Sequence, residues 1–282
     1  MQEESINTVV NPSIHSGMSA NYSYMFNFED KFQHLDTKTW MEKNWTIGFW
    51  YCGIYILVIF GGQHLMQNRP RFTLRKALIV WNTLLATFSI IGACRTAPEL
   101  IHVLKNYGVY HSVCVPSFIE DDKVAGFWTW MFALSKVPEL GDTVFIILRK
   151  QPLIFLHWYH HITVLLYTWY AYKEYTSSAR WFVVMNYCVH SLMYSYFALR
   201  AMGKRPPKAS AMMVTSLQIL QMVIGSLVNI WSLQYINAGQ PCKVSHLNIK
   251  LSLLMYLSYF ALFLRFFINA YLKTGSEKEK KF

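Results

Sequence analysis

The chain has 282 residues, of which 54% are hydrophobic, 17% aromatic and only 15% charged. Mean hydropathy is +0.21, and several apolar runs reach the roughly 20 residues that carry a helix across a bilayer; this excludes an ordinary soluble enzyme and points to an all-α integral membrane protein. The formal charge of +11 is not a nucleic-acid footprint, because no stretch interleaves basic and stacking residues on a polar surface.

Residues 1–43 are polar and of mixed charge, with no apolar core of a cleavable signal peptide. The first hydrophobic run, residues 45–66, is therefore expected to act as the targeting signal itself. A basic segment around Pro70 separates it from a second span over 77–97, and residues 98–122 read as a long polar stretch. The third span is expected over 124–148, the fourth over 153–172 and, after a short polar break at 173–180, the fifth over 181–201. The run Gly203-Lys204-Arg205-Pro206-Pro207-Lys208 is a turn. A sixth span over 209–236 and a seventh over 247–272 complete the set. The expected organisation is an N-terminal segment 1–43, a seven-helix membrane domain 44–272 and a charged tail 273–282. No solenoid repeat, P-loop, dinucleotide glycine pattern, CxxC or zinc-type spacing is present.

Seven spans put the termini on opposite sides. Arg69, Arg71, Arg75, Lys76, Arg149, Lys150, Lys204, Arg205, Lys208 and the lysines of the tail fall on one side in short loops. That side is cytosolic by the positive-inside rule, which leaves the N-terminus outside the cytosol.

Four successive spans each carry one polar face. On the fourth, His157, His160 and His161 share a helix face at i, i+3 and i+4, and three ionisable rings at membrane depth call for a built site. On the third, Lys136, Glu139, Asp142 and Thr143 are spaced to share a face; they read either as a self-neutralising ion pair or as a charged wall that orients histidines. On the fifth, Asn186 and Tyr194 each stand four residues from His190, and the sixth carries Thr215, Gln218 and Gln221 at intervals of three. Helices bearing such faces turn them inward on one another, giving a bundle with a polar centre.

No Gly-x-Ser-x-Gly elbow occurs; Cys188, two residues from His190, points elsewhere on the helix, and Cys52 and Cys94 have no histidine or acid on their faces. A di-iron desaturase or hydroxylase needs about twice as many histidine ligands as this chain holds deep in its spans. With Glu139 and Asp142 as supplements such a metal enzyme stays an alternative, as does a lipid carrier without chemistry. The histidines themselves suit base catalysis or attack on a thioester.

At these motifs the chain resembles the very-long-chain fatty acid elongases, the condensing enzymes of acyl elongation in the endoplasmic reticulum. Their KxxExxDT pattern matches Lys136, Glu139, Asp142 and Thr143; HxxHH matches His157, His160 and His161; HxxMYxYY matches His190, Met193, Tyr194 and Tyr196; TxxQxxQ matches Thr215, Gln218 and Gln221. Phe197 stands where the last tyrosine is usual. The resemblance implies seven helices, six of them enclosing an acyl tunnel, and the conversion of acyl-CoA and malonyl-CoA to 3-oxoacyl-CoA, CO2 and CoA. It implies saturated and monounsaturated long chains, no resident metal or cofactor, and an acyl-imidazole on His160. His157, His161 and His190 would then move protons, Lys136, Glu139 and Asp142 would position them, and Asn186, Gln218 and Gln221 would donate to the thioester oxygen. Arg75, Lys76, Arg149, Lys150, Lys204, Arg205 and Arg265 are candidates for the CoA phosphates. Expected partners are the membrane lipid, the reductases and dehydratase of the cycle, and further copies in an oligomer.

Three expectations follow from that address. Lys278 and Lys280 resemble a dilysine retrieval signal. Asn21, in Asn21-Tyr22-Ser23, is a lumenal glycosylation acceptor. Cys114 and Cys242, in two loops assigned to the oxidising lumen, are expected to form a disulfide.

Overall fold

A computed structural model describes residues 20–273, and every regular element among them is helical. The retrieval signal at Lys278 and Lys280 lies outside the described residues. Two short helices, α1 (Asn27–Asp30) and α2 (His34–Asn44), precede α3 (Ile47–Met66). Next come α4 (Arg75–Asn106), α5 (Gly108–Cys114), α6 (Ser117–Glu120) and α7 (Lys123–Ser135). A 3-10 turn at Pro138–Leu140 leads into α8 (Gly141–Leu148). The chain continues through α9 (Phe155–Lys173), α10 (Ala179–Ala201), α11 (Lys208–Asn237) and α12 (His246–Phe267).

The packing order forms a circuit. Helix α4 lies along α10, α10 against α11, α11 against α12, α12 against α9, α9 against α7, and α7 returns to α4. Helix α3 stands outside this circuit, against α8 and α9. Five helices are long and apolar enough to cross a membrane: Ile47–Met66, Arg75–Asn106, Ala179–Ala201, Lys208–Asn237 and His246–Leu272. Their outward residues are bare apolar side chains, such as Trp50, Leu57, Leu84 and Leu254. Close approach of α4 and α10 depends on Gly92, where a Cβ would stand 2.3 Å from the Tyr187 ring.

Two sequence expectations are corrected. Residues 98–122 are not a polar loop. Helix α4 runs through Pro98 to Asn106, and α5 and α6 follow. A proline interrupts a helix by removing one N–H and crowding the preceding turn, but here the polar residues around it are interior. Glu99 Oε2 sits 3.0 Å from Arg180 Nε, both side chains 1% exposed. Arg180, expected in the break at 173–180, is thus part of α10 and buried. The polar character of this stretch reports an internal ion pair, not a loop.

The third span is also not one helix. Pro138 ends α7, and the 3-10 turn changes the helical phase before Gly141 restarts it. Lys136, Glu139, Asp142 and Thr143 therefore do not share a single face.

One end of the bundle is fastened covalently and by hydrogen bonds. Cys114 and Cys242 form a disulfide with Cα atoms 4.2 Å apart. Beside it Lys243 N donates to Cys114 O at 2.9 Å. Arg180 donates to Ser117 Oγ at 2.7 Å, and His111 Nε2 meets the same hydroxyl at 3.0 Å. Burial, with the Arg180 cation second, pushes the His111 imidazole down to about 4. The N-terminal segment docks here too: buried Glu29 receives Arg95 Nε at 2.8 Å and Trp128 Nε1 at 2.7 Å. Asn21 is exposed next to Tyr22, whose hydroxyl reaches Asp122.

Candidate active site

Helix α9 brings its three histidines together as the 3.6-residue period requires. The His157 and His161 rings lie 4.5 Å apart by centroid, and those of His160 and His161 5.5 Å. Their surroundings differ. His157 Nε2 is 2.9 Å from Thr143 Oγ1, which in turn is 2.6 Å from Tyr55 OH on α3. His161 is buried, with Tyr55 at its edge. The His160 ring is half-buried, lies 4.9 Å from the Tyr259 ring of α12, and makes no hydrogen bond among the described residues. Its nitrogens are uncommitted, as are those of the more deeply buried His161, whereas His157 is held through Thr143.

The broken third span supplies three separate contacts to this region. Lys136 Nζ donates to Glu139 Oε1 at 2.7 Å, to Oε2 at 3.0 Å and to Asn186 Oδ1 at 3.3 Å, all three of its protons thereby engaged. Ser135 Oγ adds a bond to Glu139 at 2.8 Å. Asn186 Nδ2 donates to His190 Nε2 at 3.1 Å. That nitrogen accepts, so the neutral ring carries its proton on Nδ1, which faces Glu139 Oε2 at 4.0 Å. Lys136, Glu139, Asn186 and His190 thus form one buried network across α7 and α10. Asp142 points elsewhere: it accepts from Trp81 Nε1 at 2.6 Å and from Tyr194 OH at 2.8 Å, tying α8 to α4 and α10.

The amides of α11 are separate from these networks. Gln218 Nε2 meets Met193 Sδ at 3.5 Å, Gln221 is buried beside Tyr256, and Thr215 contacts Tyr271 OH at 3.4 Å. Neither glutamine bonds a histidine. Among the described residues no three His, Cys, Asp or Glu side chains are grouped as a metal-binding set. What the arrangement offers is a half-buried, unbonded imidazole (His160) beside a buried unbonded one (His161) and a hydrogen-bonded one (His157), with a charged network fixing a fourth.

The family model described as ELO: GNS1/SUR4 family matches residues 40–279. The chain belongs to the ELO family. It is 64% identical over 266 residues to a Drosophila melanogaster protein named very long chain fatty acid elongase 6, covering 94% of this chain and 84% of that one. It is 49% identical over 247 residues to the Homo sapiens protein of the same name, covering 88% and 92%. To Homo sapiens very long chain fatty acid elongase 3 it is 45% identical over 257 residues, covering 91% and 93%.

In this ELO family chain the basic candidates divide into two groups. Arg75 is engaged with the end of α10, donating to Ala201 O at 2.9 Å and Met202 O at 2.7 Å. Lys150 Nζ donates to Gln67 O at 3.0 Å. Each clamps two chain segments together. Lys76, Lys204, Arg205 and Arg265 are exposed, and Arg149 is half-buried. Tyr55, Trp81 and Tyr259 were not anticipated. Their trace in the sequence is a polar-tipped aromatic inside an apolar run, which demands a partner without naming it.

Proposed function

We propose that this chain is the condensing enzyme of fatty acid elongation, a very-long-chain 3-oxoacyl-CoA synthase. It joins a long-chain acyl-CoA to malonyl-CoA, giving 3-oxoacyl-CoA, CO2 and CoA. The observation that carries the reading is near-full-length similarity to proteins named very long chain fatty acid elongase, with the four polar motifs on the elements around α9.

His160 Nε2 or Nδ1 attacks the acyl thioester carbonyl, the C–S bond breaks, and the departing thiolate takes a proton to leave as CoA. Malonyl-CoA then loses CO2, and the resulting carbanion takes the acyl group and frees the imidazole. The free ring of His160 supports this choice. His157, held through Thr143 and Tyr55, and His190, held by Asn186, suit proton transfer at fixed positions. Lys136 and Glu139 position His190; Asp142 holds α8 against α4 and α10. Gln218 and Gln221 keep amide capacity for the carbonyl oxygen, whereas Asn186 gives one N–H to His190.

The circuit of six helices encloses the acyl tunnel, and with α3 and the two pieces of the third span the chain crosses the endoplasmic-reticulum membrane seven times. Its N-terminus is lumenal and its C-terminus cytosolic. The Cys114–Cys242 bridge and an exposed Asn21 suit an oxidising, glycosylating lumen. Saturated and monounsaturated chains are the expected substrates, and the product passes to a reductase, a dehydratase and a second reductase. Incubation with acyl-CoA alone tests the covalent step: CoA is released, and the peptide bearing residues 157–161 gains one acyl mass that His160→Ala abolishes. Wild-type protein yielding neither product would replace the acyl-imidazole with a ternary complex.

A further inference from the structure

Helix α12 meets α9 along a seam of hydroxyl and amide groups that lies outside the histidine motifs. Residues 159, 163 and 167 recur every four positions on α9 and so share one face. Tyr159 OH and Ser258 Oγ are 3.0 Å apart, Thr163 Oγ1 and Tyr259 OH are hydrogen-bonded, and Tyr167 OH donates to Asn248 Oδ1 at 2.8 Å. Polar bonds of this kind hold helices together in lipid. The outer rungs need no other explanation.

The middle rung grips the turn that carries His160. Thr163 Oγ1 donates to Tyr159 O at 2.7 Å and lies 3.4 Å from His160 O. Its one proton is thereby spent, so Tyr259 is the donor between the two hydroxyls. Tyr259 OH also reaches His160 O at 3.3 Å. Both hydroxyl protons therefore go to Thr163 and to main-chain oxygens, and neither goes to the imidazole. The Tyr259 ring, 2% exposed, lies 4.9 Å from the His160 ring at an interplanar angle of 50°. The His161 ring stands 5.5 Å away from it, nearly perpendicular. With no hydrogen bond to its nitrogens among the described residues, the angle of the His160 ring is left to these two aromatic walls and to the main chain beneath it. An attacking nitrogen needs an unshared lone pair. A hydroxyl proton on that nitrogen would occupy it, whereas an aromatic wall holds the ring and leaves it open.

Resting on the reading that His160 takes the acyl group, we infer that Tyr259 is a positioning residue for that histidine. Its ring sets the angle of the imidazole. Its hydroxyl, with Thr163, anchors the main chain of the same residue. Thr163 serves by diverting the tyrosine proton away from the ring. Tyr259 itself exchanges no proton with substrate, so its removal lowers the rate of attack and leaves acyl-CoA binding as it was.

The test uses full-length protein in phosphatidylcholine nanodiscs and palmitoyl-CoA without malonyl-CoA, with first-turnover CoA release sampled by rapid quench. Tyr259→Phe keeps the ring and loses the hydroxyl, and slows release about fivefold, the size of one neutral hydrogen bond. Tyr259→Leu loses both and slows it about 100-fold, as a misplacement of about 1 Å does. The palmitoyl-CoA concentration giving half the maximal rate stays at the wild-type value in each. Ser258→Ala and Tyr167→Phe cut the outer rungs of the same seam; they lower the melting temperature and release CoA at the wild-type rate. Should the leucine variant fail to fold, Tyr259→Phe decides alone. Wild-type release by Tyr259→Phe overturns the proposal. So does equal slowing by the outer-rung variants, which would make the whole seam a structural contact. Wild type that condenses palmitoyl-CoA with malonyl-CoA yet releases no CoA beforehand would remove the acyl-imidazole and the role of Tyr259 with it. Unchanged release in the Tyr259 variants beside a normal wild-type burst would remove only the latter.

Discussion

Lys136→Met separates the two roles open to the buried ion pair. Lys136 and Glu139 are 2.7 Å apart with side chains 2% and 5% exposed. At an effective dielectric of about 20, unit charges near 3 Å attract by about 5–6 kcal/mol, while desolvation takes back several kcal/mol per ion, so the intact pair is close to neutral for stability. Removing the lysine alone leaves Glu139 with the Ser135 hydroxyl and no counter-charge, a loss of about 3–5 kcal/mol. In a chain of this size that lowers the melting temperature by about 10 °C. Lys136→Met with Glu139→Gln restores most of it, because no unpaired charge is left. Melting followed by tryptophan fluorescence in detergent, beside condensation turnover, reads both effects. The double variant is expected to be stable and inactive, since His190 and Asn186 lose their anchors. A double variant with wild-type turnover would refute the positioning role, and a single variant costing under about 1 kcal/mol would refute the desolvation argument.

Trp81→Phe removes a donor from Asp142 and is expected to cost about 1–3 kcal/mol in the same melting assay, whereas Tyr55→Phe costs about 1 kcal/mol and lowers kcat with KM unchanged. Gly92→Ala forces a Cβ to within 2.3 Å of the Tyr187 ring and should destabilise by about 1–3 kcal/mol; Gly53→Ala, with nothing within 4 Å, should stabilise by about 0.5–1 kcal/mol. For pH, the folded chain keeps His111 neutral down to about 4, while its unfolded value is 6.5. Between those values the unfolded state binds more protons, so stability falls as pH drops from 6.5 toward 4 and is level above it. His111→Gln should flatten that slope in melting curves.

Much of the arrangement was legible because it follows from periodicity. The i, i+3, i+4 histidines and the Asn186–His190 spacing fixed which side chains would meet, and both do. Failure came where polarity was read as exposure. Glu99 and Arg180 sit on helices that the charge pattern alone assigns to loops, and only their mutual burial explains them. The run from Lys136 to Thr143 misled for another reason: Pro138 changes the phase, so one inferred face becomes three contact directions. Tyr55 could not be paired in advance, because its partner lies on an element 88 residues away.

The most direct measurement is condensation by the purified protein. With palmitoyl-CoA and radiolabelled malonyl-CoA, wild type should yield labelled 3-oxostearoyl-CoA and one CO2 per condensation, and His160→Ala, folded by its melting curve, should yield none. A folded wild type that binds both thioesters yet forms no labelled 3-oxo product would contradict the account.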